Sequence, residues 1–202
     1  MALWRPADGG DDCFGWIAEG RIARTSHALR AGGRVYLIDP VAGDGLEERV
    51  HALGEPAAVL QLLDRHERDC AGWASALGVP HVRAWEGVGD APFAVLTVRS
   101  SRVWREVALW DGESATLVCA DALGTVPYFL APGERLGWHP LVRPAPPRSF
   151  GGVAPRRIRV GHGPGVFEDA AAALADLVAH GRRRLLPAWA SALRTSVRAA
   201  SR

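Results

Sequence analysis

Leu63-Asp64-Arg65-His66-Glu67-Arg68-Asp69-Cys70 brings carboxylates, an imidazole and a thiol onto one short turn. The turn follows the apolar run Ala57-Ala58-Val59-Leu60-Gln61-Leu62-Leu63 and leads into a helical pattern. Its side chains therefore stand where a strand ends, at the mouth of an α/β site. Asp, His and Cys ligate metal ions, and Asp and His also act as general acids and bases. The pattern recurs: apolar runs lead from Ile38 into Asp39, from Ala120 into Asp121, and from Val160 into Gly161-His162. Strands finishing side by side would deliver all of these groups to one sheet edge.

The elements that must position them can be read from periodicity and turn chemistry. Residues 1–13 read as a loose start. Gly32-Gly33 joins Thr25–Arg30 to Arg34–Ile38 as a hairpin. Leu46, Val50 and Leu53 mark a helix that Gly54 stops, and a strand follows over Val59–Leu63. From Asp69 to Leu77, Cys70, Trp73, Ala74 and Leu77 share one helix face. Strands are expected over Val79–Ala84, Phe93–Val98, Val103–Trp110 and Ala115–Ala120, with a tight turn at Asp111-Gly112. The Pro-rich stretch 127–155 reads as loop, Arg157–Val160 as a strand, Val166–His180 as a helix ended by Gly181, and Pro187–Ala199 as a second helix.

Composition bounds the partners. A chain of 202 residues suits one domain, expected here over 1–202. The net charge is +2 and the basic residues, all Arg, are scattered, so no nucleic-acid partner is expected. Three unevenly spaced cysteines imply reduced thiols and a cytoplasmic location. No segment approaches the roughly 20 apolar residues of a membrane span, so no membrane partner is expected either. The oligomeric state is not legible.

The four segments Leu37-Ile38-Asp39, Leu63 to Cys70, Cys119-Ala120-Asp121-Ala122-Leu123 and Val160-Gly161-His162-Gly163 resemble the metallo-β-lactamase superfamily, on its glyoxalase II-like hydrolase side. The resemblance covers about residues 25–165. It implies an α/β (α+β) architecture, a four-layer αββα sandwich with a metal site at one edge. The family signature is His-x-His-x-Asp-His. Here Asp64 or Arg65 stands at the first His, His66 at the second, Asp69 at the Asp if one residue is inserted, and Cys70 at the last His. Asp121 matches the bridging carboxylate, His162 the late His, and Asp39 a carboxylate that supports the ligands from behind. The segment Val98–Trp110 holds no His, so the family's middle-chain ligand is missing.

The resemblance thus implies a degenerate metal site. His66, Asp69, Asp121 and His162 are the ligands, Asp64 is the catalytic base, and Asp39, Cys70 and Arg65 are supporting residues. Such a set suits one divalent ion, zinc, iron or manganese, or none, rather than the family's usual pair. Two functions follow: metal-dependent hydrolysis of a small-molecule ester or thioester, or a non-catalytic descendant that binds a small molecule or partner. A third reading makes Gly161–Gly165 an anion-binding loop. Each residue also has a structural reading. Cys70 suits a buried thiol, Asp69 a helix cap, Asp121 a surface loop, and Arg65 or Arg68 either solvent or replacement of a missing metal charge. His139 could line a pocket, and the other histidines have no partner pattern.

Overall fold

The computed structural model describes residues 3–20 and 22–200. A first sheet begins with β1 (Trp4–Gly10), β2 (Cys13–Ala18), β3 (Thr25–Ala31) and β4 (Arg34–Ile38), an antiparallel meander. Helix α1 (Leu46–Leu53) then leads to β5 (Pro56–Gln61), and α2 (Cys70–Leu77) to β6 (His81–Arg83). Each helix is a crossover, so β4, β5 and β6 run parallel. The second sheet starts with β7 (Ala94–Ser101), β8 (Trp104–Asp111) and β9 (Thr116–Val118). The short pair β10 (Leu123–Gly124) and β11 (Gly137–Trp138) follows, and β12 (Arg157–Arg159) returns to lie parallel beside β9. Helices α3 (Ala170–His180) and α4 (Leu185–Ala200) complete the chain.

Period-two alternation assigns the faces of the first sheet. Tyr36, Ile38, Ala58 and Leu60 face the second sheet, whose Val107, Leu109, Leu117 and Ile158 belong to the same apolar core. Val35, Leu37 and Val59 turn the other way, onto Leu46 and Val50 of α1 and Trp73 of α2. Leu174 and Leu177 of α3 join the inter-sheet core from the outer side. The layers are helix, sheet, sheet, helix, as expected. Strands buried on both faces read as continuous apolar runs, which is why β4 and β5 were conspicuous in the sequence.

Several local expectations are corrected. Residues 4–10 are a paired edge strand with an irregularity between Pro6 and Asp8, rather than a loose start. The helix expected from Val166 begins at Ala170, because Val166 exchanges backbone hydrogen bonds of 2.8 and 2.9 Å with Ile158 and stays extended. Gly181 does not end the helical run: it keeps helical angles and leads through a 3-10 turn into α4. Its missing side chain instead admits the Trp138 ring, which a Cβ there would meet at 2.7 Å.

The Pro-rich stretch is held by buried Glu134, which pairs with Arg143 and, at 3.5 Å, with Arg184. Arg143 donates to Glu134 at 2.7 and 2.9 Å, to Phe129 O at 2.8 Å and to Gly181 O at 2.9 Å, so it ties the loop to the end of α3. Arg143→Ala would leave buried Glu134 with only the longer Arg184 contact at 3.5 Å and the Ala131 N–H at 2.7 Å, and is expected to cost about 3 kcal/mol, the lower end for a broken buried pair. Urea unfolding of the variant checks this, and a loss below about 1 kcal/mol, the range of exposed pairs, would contradict it. Among the described residues, no helix is long and apolar enough to cross a membrane.

Candidate metal centre

Four strand ends build the site, and they come as two parallel pairs. β4 and β5 are neighbours in the first sheet, β9 and β12 in the second. Parallel neighbours release their chains at the same edge, so Asp39, the 62–69 turn, Asp121 and His162 emerge together. Backbone bonds lock the exits: Asp39 N–H donates to Leu60 O at 3.0 Å and Gly161 N–H to Ala120 O at 3.0 Å. Thr25 N–H donates to Gly161 O at 2.8 Å, which joins the two sheets at this edge. Gly161 is needed for that approach, since a Cβ would lie 2.7 Å from Ala120 O.

The imidazoles of His66 and His162 face one carboxylate. His66 Nε2 lies 3.0 Å and His162 Nε2 2.9 Å from the same oxygen, Asp121 Oδ1. The ring centroids are 6.0 Å apart. The opposite nitrogens are already committed: His66 Nδ1–H donates to Asp39 Oδ2 at 2.9 Å, and His162 Nδ1–H to Ile22 O at 2.7 Å. Each neutral ring must therefore present an Nε2 lone pair to the spot where Asp121 presents another. Three acceptors aimed at one point call for positive charge there: a metal ion would meet all three at once, whereas a single proton would join only one ring to Asp121.

The titration behaviour agrees. Burial and Arg68 push the His66 pKa down, but the Asp39 and Asp121 carboxylates outweigh them and it ends raised. Burial pushes Asp121 up, and the hydrogen bonds from His162 and His66 prevail, holding its carboxyl well below the usual range. The raised His66 value favours a proton on His66 Nε2, which would donate to Asp121 Oδ1. His66, Asp121 and His162 are also the group, among the described residues, whose ligand atoms all lie within 4.8 Å of one another. Two imidazoles and a carboxylate, each imidazole oriented from behind by an acceptor, fit a single zinc-type ion with open positions.

A cleft of about 720 Å³ opens onto this cluster. Ile22, Val126, Pro127, Tyr128 and Phe129 line it with His139, and Thr195 and Ser196 of α4 close one side. His162 stacks on Phe129 with centroids 5.7 Å apart. Burial drives the His139 pKa down to about 4, so the ring is neutral. Its Nδ1 accepts the Leu141 N–H at 3.1 Å, which leaves an Nε2–H as the donor available to a bound group.

No protein-family model matches the sequence, and no curated protein matches it either. Solved structures do. A crystal structure of DIM-1 metallo-β-lactamase shares 12% identity at a TM-score of 0.57, covering 93% of this chain and 100% of that one. The same enzyme exposed to ceftazidime gives 12% and 0.57, with coverage of 92% and 97%. TMB-1 gives 10% identity and a TM-score of 0.54 over 95% of this chain and 99% of that one. The chain has the metallo-β-lactamase fold. Identities this low speak to the fold alone.

Within the metallo-β-lactamase fold of this chain, the turn after β5 brings His66 against Asp121. Two residues on from His66 comes Arg68, and its side chain, not that of Asp69, enters the site. Arg68 Nη1 donates to Thr25 O at 2.6 Å and Asp39 O at 2.8 Å, and Nη2 to Gly161 O at 3.3 Å. The Arg68 guanidinium places a fixed positive charge beside the cluster, which disfavours gathering further cations there. Arg68 and Asp39 both adopt left-handed backbone angles, φ 41° and 43°, which these contacts hold in place.

The other expected residues lie outside the cluster. Asp69 Oδ2 accepts the Ala42 N–H at 2.7 Å and does not bond the end of α2. Asp64 Oδ2 accepts the Arg105 N–H at 3.0 Å, and the residue lines a separate polar cleft of about 580 Å³. Cys70 is buried, with its thiol 3.7 Å from His66 O, and Arg65 lies over the Trp104 ring at 4.2 Å. One participant was missed. Glu106 is completely buried, takes the Ala122 N–H at 2.7 Å and the Trp104 Nε1–H at 2.8 Å, and so fixes the residue next to Asp121. Its signal was a carboxylate on the same strand face as Trp104 and Ala108.

Proposed function

We propose that the protein is a single-metal hydrolase of a small ester or thioester, on the glyoxalase II-like side of the metallo-β-lactamase fold. One observation carries this reading: both imidazoles have their Nδ1 atoms committed, so their Nε2 lone pairs converge with Asp121. His66, Asp121 and His162 would hold the ion, with zinc, iron(II) or manganese suited to the donor set. Bound there, it would polarise a carbonyl and make a water acidic enough to react near neutral pH. The chain's own residues supply the rest. Ile22, Val126, Pro127 and Phe129 suit an uncharged apolar acyl or aryl group and keep bulk water from it. His139 Nε2–H can donate to the substrate's oxygen, and Asp39 fixes the His66 ring.

Metal analysis of protein purified without chelator, paired with hydrolysis of ester and thioester panels differing in acyl charge, tests this reading. The expected result is one ion per chain and a preference for uncharged acyl groups. Metal-free protein whose melting ignores chelator and which turns over no ester would instead assign the chain to the non-catalytic descendants of the fold.

A further inference from the structure

The C-terminal helix carries a second surface that hydrolysis does not explain. On α4, Leu186, Trp189 and Leu193 are spaced three and four residues apart, so they share one face. They are 74%, 41% and 67% exposed, while Ala188 and Ala192 on the opposite face are buried against the protein. Leu141, 64% exposed, extends the patch, because Trp189 Nε1 donates to the adjoining Pro140 O at 3.0 Å. Exposed Arg182, Arg183 and Arg194 flank this face, and from Gly181 to Arg202 the sequence contains no acidic residue. An amphipathic helix with Leu and Trp on one side and Arg alone as its charge has the composition of interfacial helices.

We propose that α4 is a docking helix that seats the protein on an anionic lipid surface, lying in the interface rather than crossing it. Charge selects this occupant. A second copy packed on the same face would bring two sets of arginines together with no carboxylate on either helix to offset them. An anionic bilayer offers both partners at once: acyl chains for Leu186 and Leu193, and headgroup charge for the arginines. Trp189 has the amphipathic ring favoured at that depth. The helix also bounds the cleft, since Thr195 and Ser196 line it and Ser191 Oγ donates to Pro127 O at 3.2 Å. Docking therefore brings the cleft to the lipid surface.

Flotation of the full chain with vesicles tests the proposal. Binding is expected to phosphatidylcholine mixed equally with phosphatidylglycerol, to weaken as salt rises, and to be absent with phosphatidylcholine alone. Leu193→Asp, at an exposed position whose melting temperature serves as the folding control, should lower partitioning at least about tenfold. Changing Arg182, Arg183 and Arg194 to Gln should lower it about fivefold per residue. His162→Ala should bind vesicles as wild type does, which separates this surface from the metal reading. Failure to bind anionic vesicles at low salt, or equal binding to both vesicle types, would overturn the proposal. So would a dimer in sedimentation that Leu193→Asp dissociates, since that assigns the face to a second copy.

Discussion

His162→Ala is expected to remove the bound ion and ester turnover together while leaving the fold in place. A catalytic zinc-type site needs about three protein donors, and the variant keeps only His66 and Asp121. His162 packs on Phe129 at the cleft rather than deep in either apolar core, so its loss should move the melting temperature of metal-free protein little. Asp39→Asn should act more gently and through a different route. Asp39 accepts from Leu62 N–H with one oxygen and from His66 Nδ1–H with the other. Asn has one acceptor, so its NH₂ would face either Leu62 N–H, leaving that donor unmet, or His66 Nδ1, favouring the wrong tautomer. An affinity loss of about 10–100-fold is expected. Wild-type affinity should also climb about tenfold per pH unit up to the raised His66 value, because the ion must displace the proton held there. Competition titrations with a chelator dye read all three effects. Stoichiometric metal retained by His162→Ala would end the account.

How far the site could be read from sequence follows from what each residue needs in order to be recognised. Asp39, Asp121 and His162 were legible because each closes an apolar run, and a strand end is a one-dimensional signal. That these ends meet depends on β4 pairing with β5 and β9 with β12, which a single sequence does not contain. The choice between Arg68 and Asp69 was beyond sequence reasoning. The two are adjacent, and only the carbonyls of Thr25, Asp39 and Gly161 decide which points inward. The turn was read with one inserted residue so that Asp69 matched the signature's Asp; in the structure the Asp69 carboxylate accepts the Ala42 N–H, and the Arg68 guanidinium reaches the Thr25, Asp39 and Gly161 carbonyls. β1 was hidden by poor strand formers, Asp8, Gly9 and Gly10, held by pairing with β2 rather than by propensity.

Glu106 gives the other large expected effect, a change in how stability depends on pH. Burial, then repulsion from Asp121, raises its pKa to about 8, against the pull of the Ala122 and Trp104 hydrogen bonds. The carboxyl is thus protonated in the folded protein at neutral pH, although it would ionise in the unfolded chain above about 4.5. Between these values the folded state binds one more proton, so this residue's contribution to stability falls with rising pH, by about 1.4 kcal/mol per unit. Buried His27 and His139 work in the opposite sense, since their lowered pKa values make stability rise with pH up to about 6.5. Wild type alone will therefore show a mixed profile, and the informative quantity is its difference from Glu106→Gln. That substitution leaves either Ala122 N–H or Trp104 Nε1–H without an acceptor, a pH-independent offset of about 1–3 kcal/mol. On top of this offset, the variant should gain on wild type by about 3 kcal/mol between pH 5 and pH 7.5, in protein stripped of metal. Urea unfolding across that range measures it. A constant difference would mean that Glu106 is ionised in the fold and that Asp121 has a second negative charge behind it.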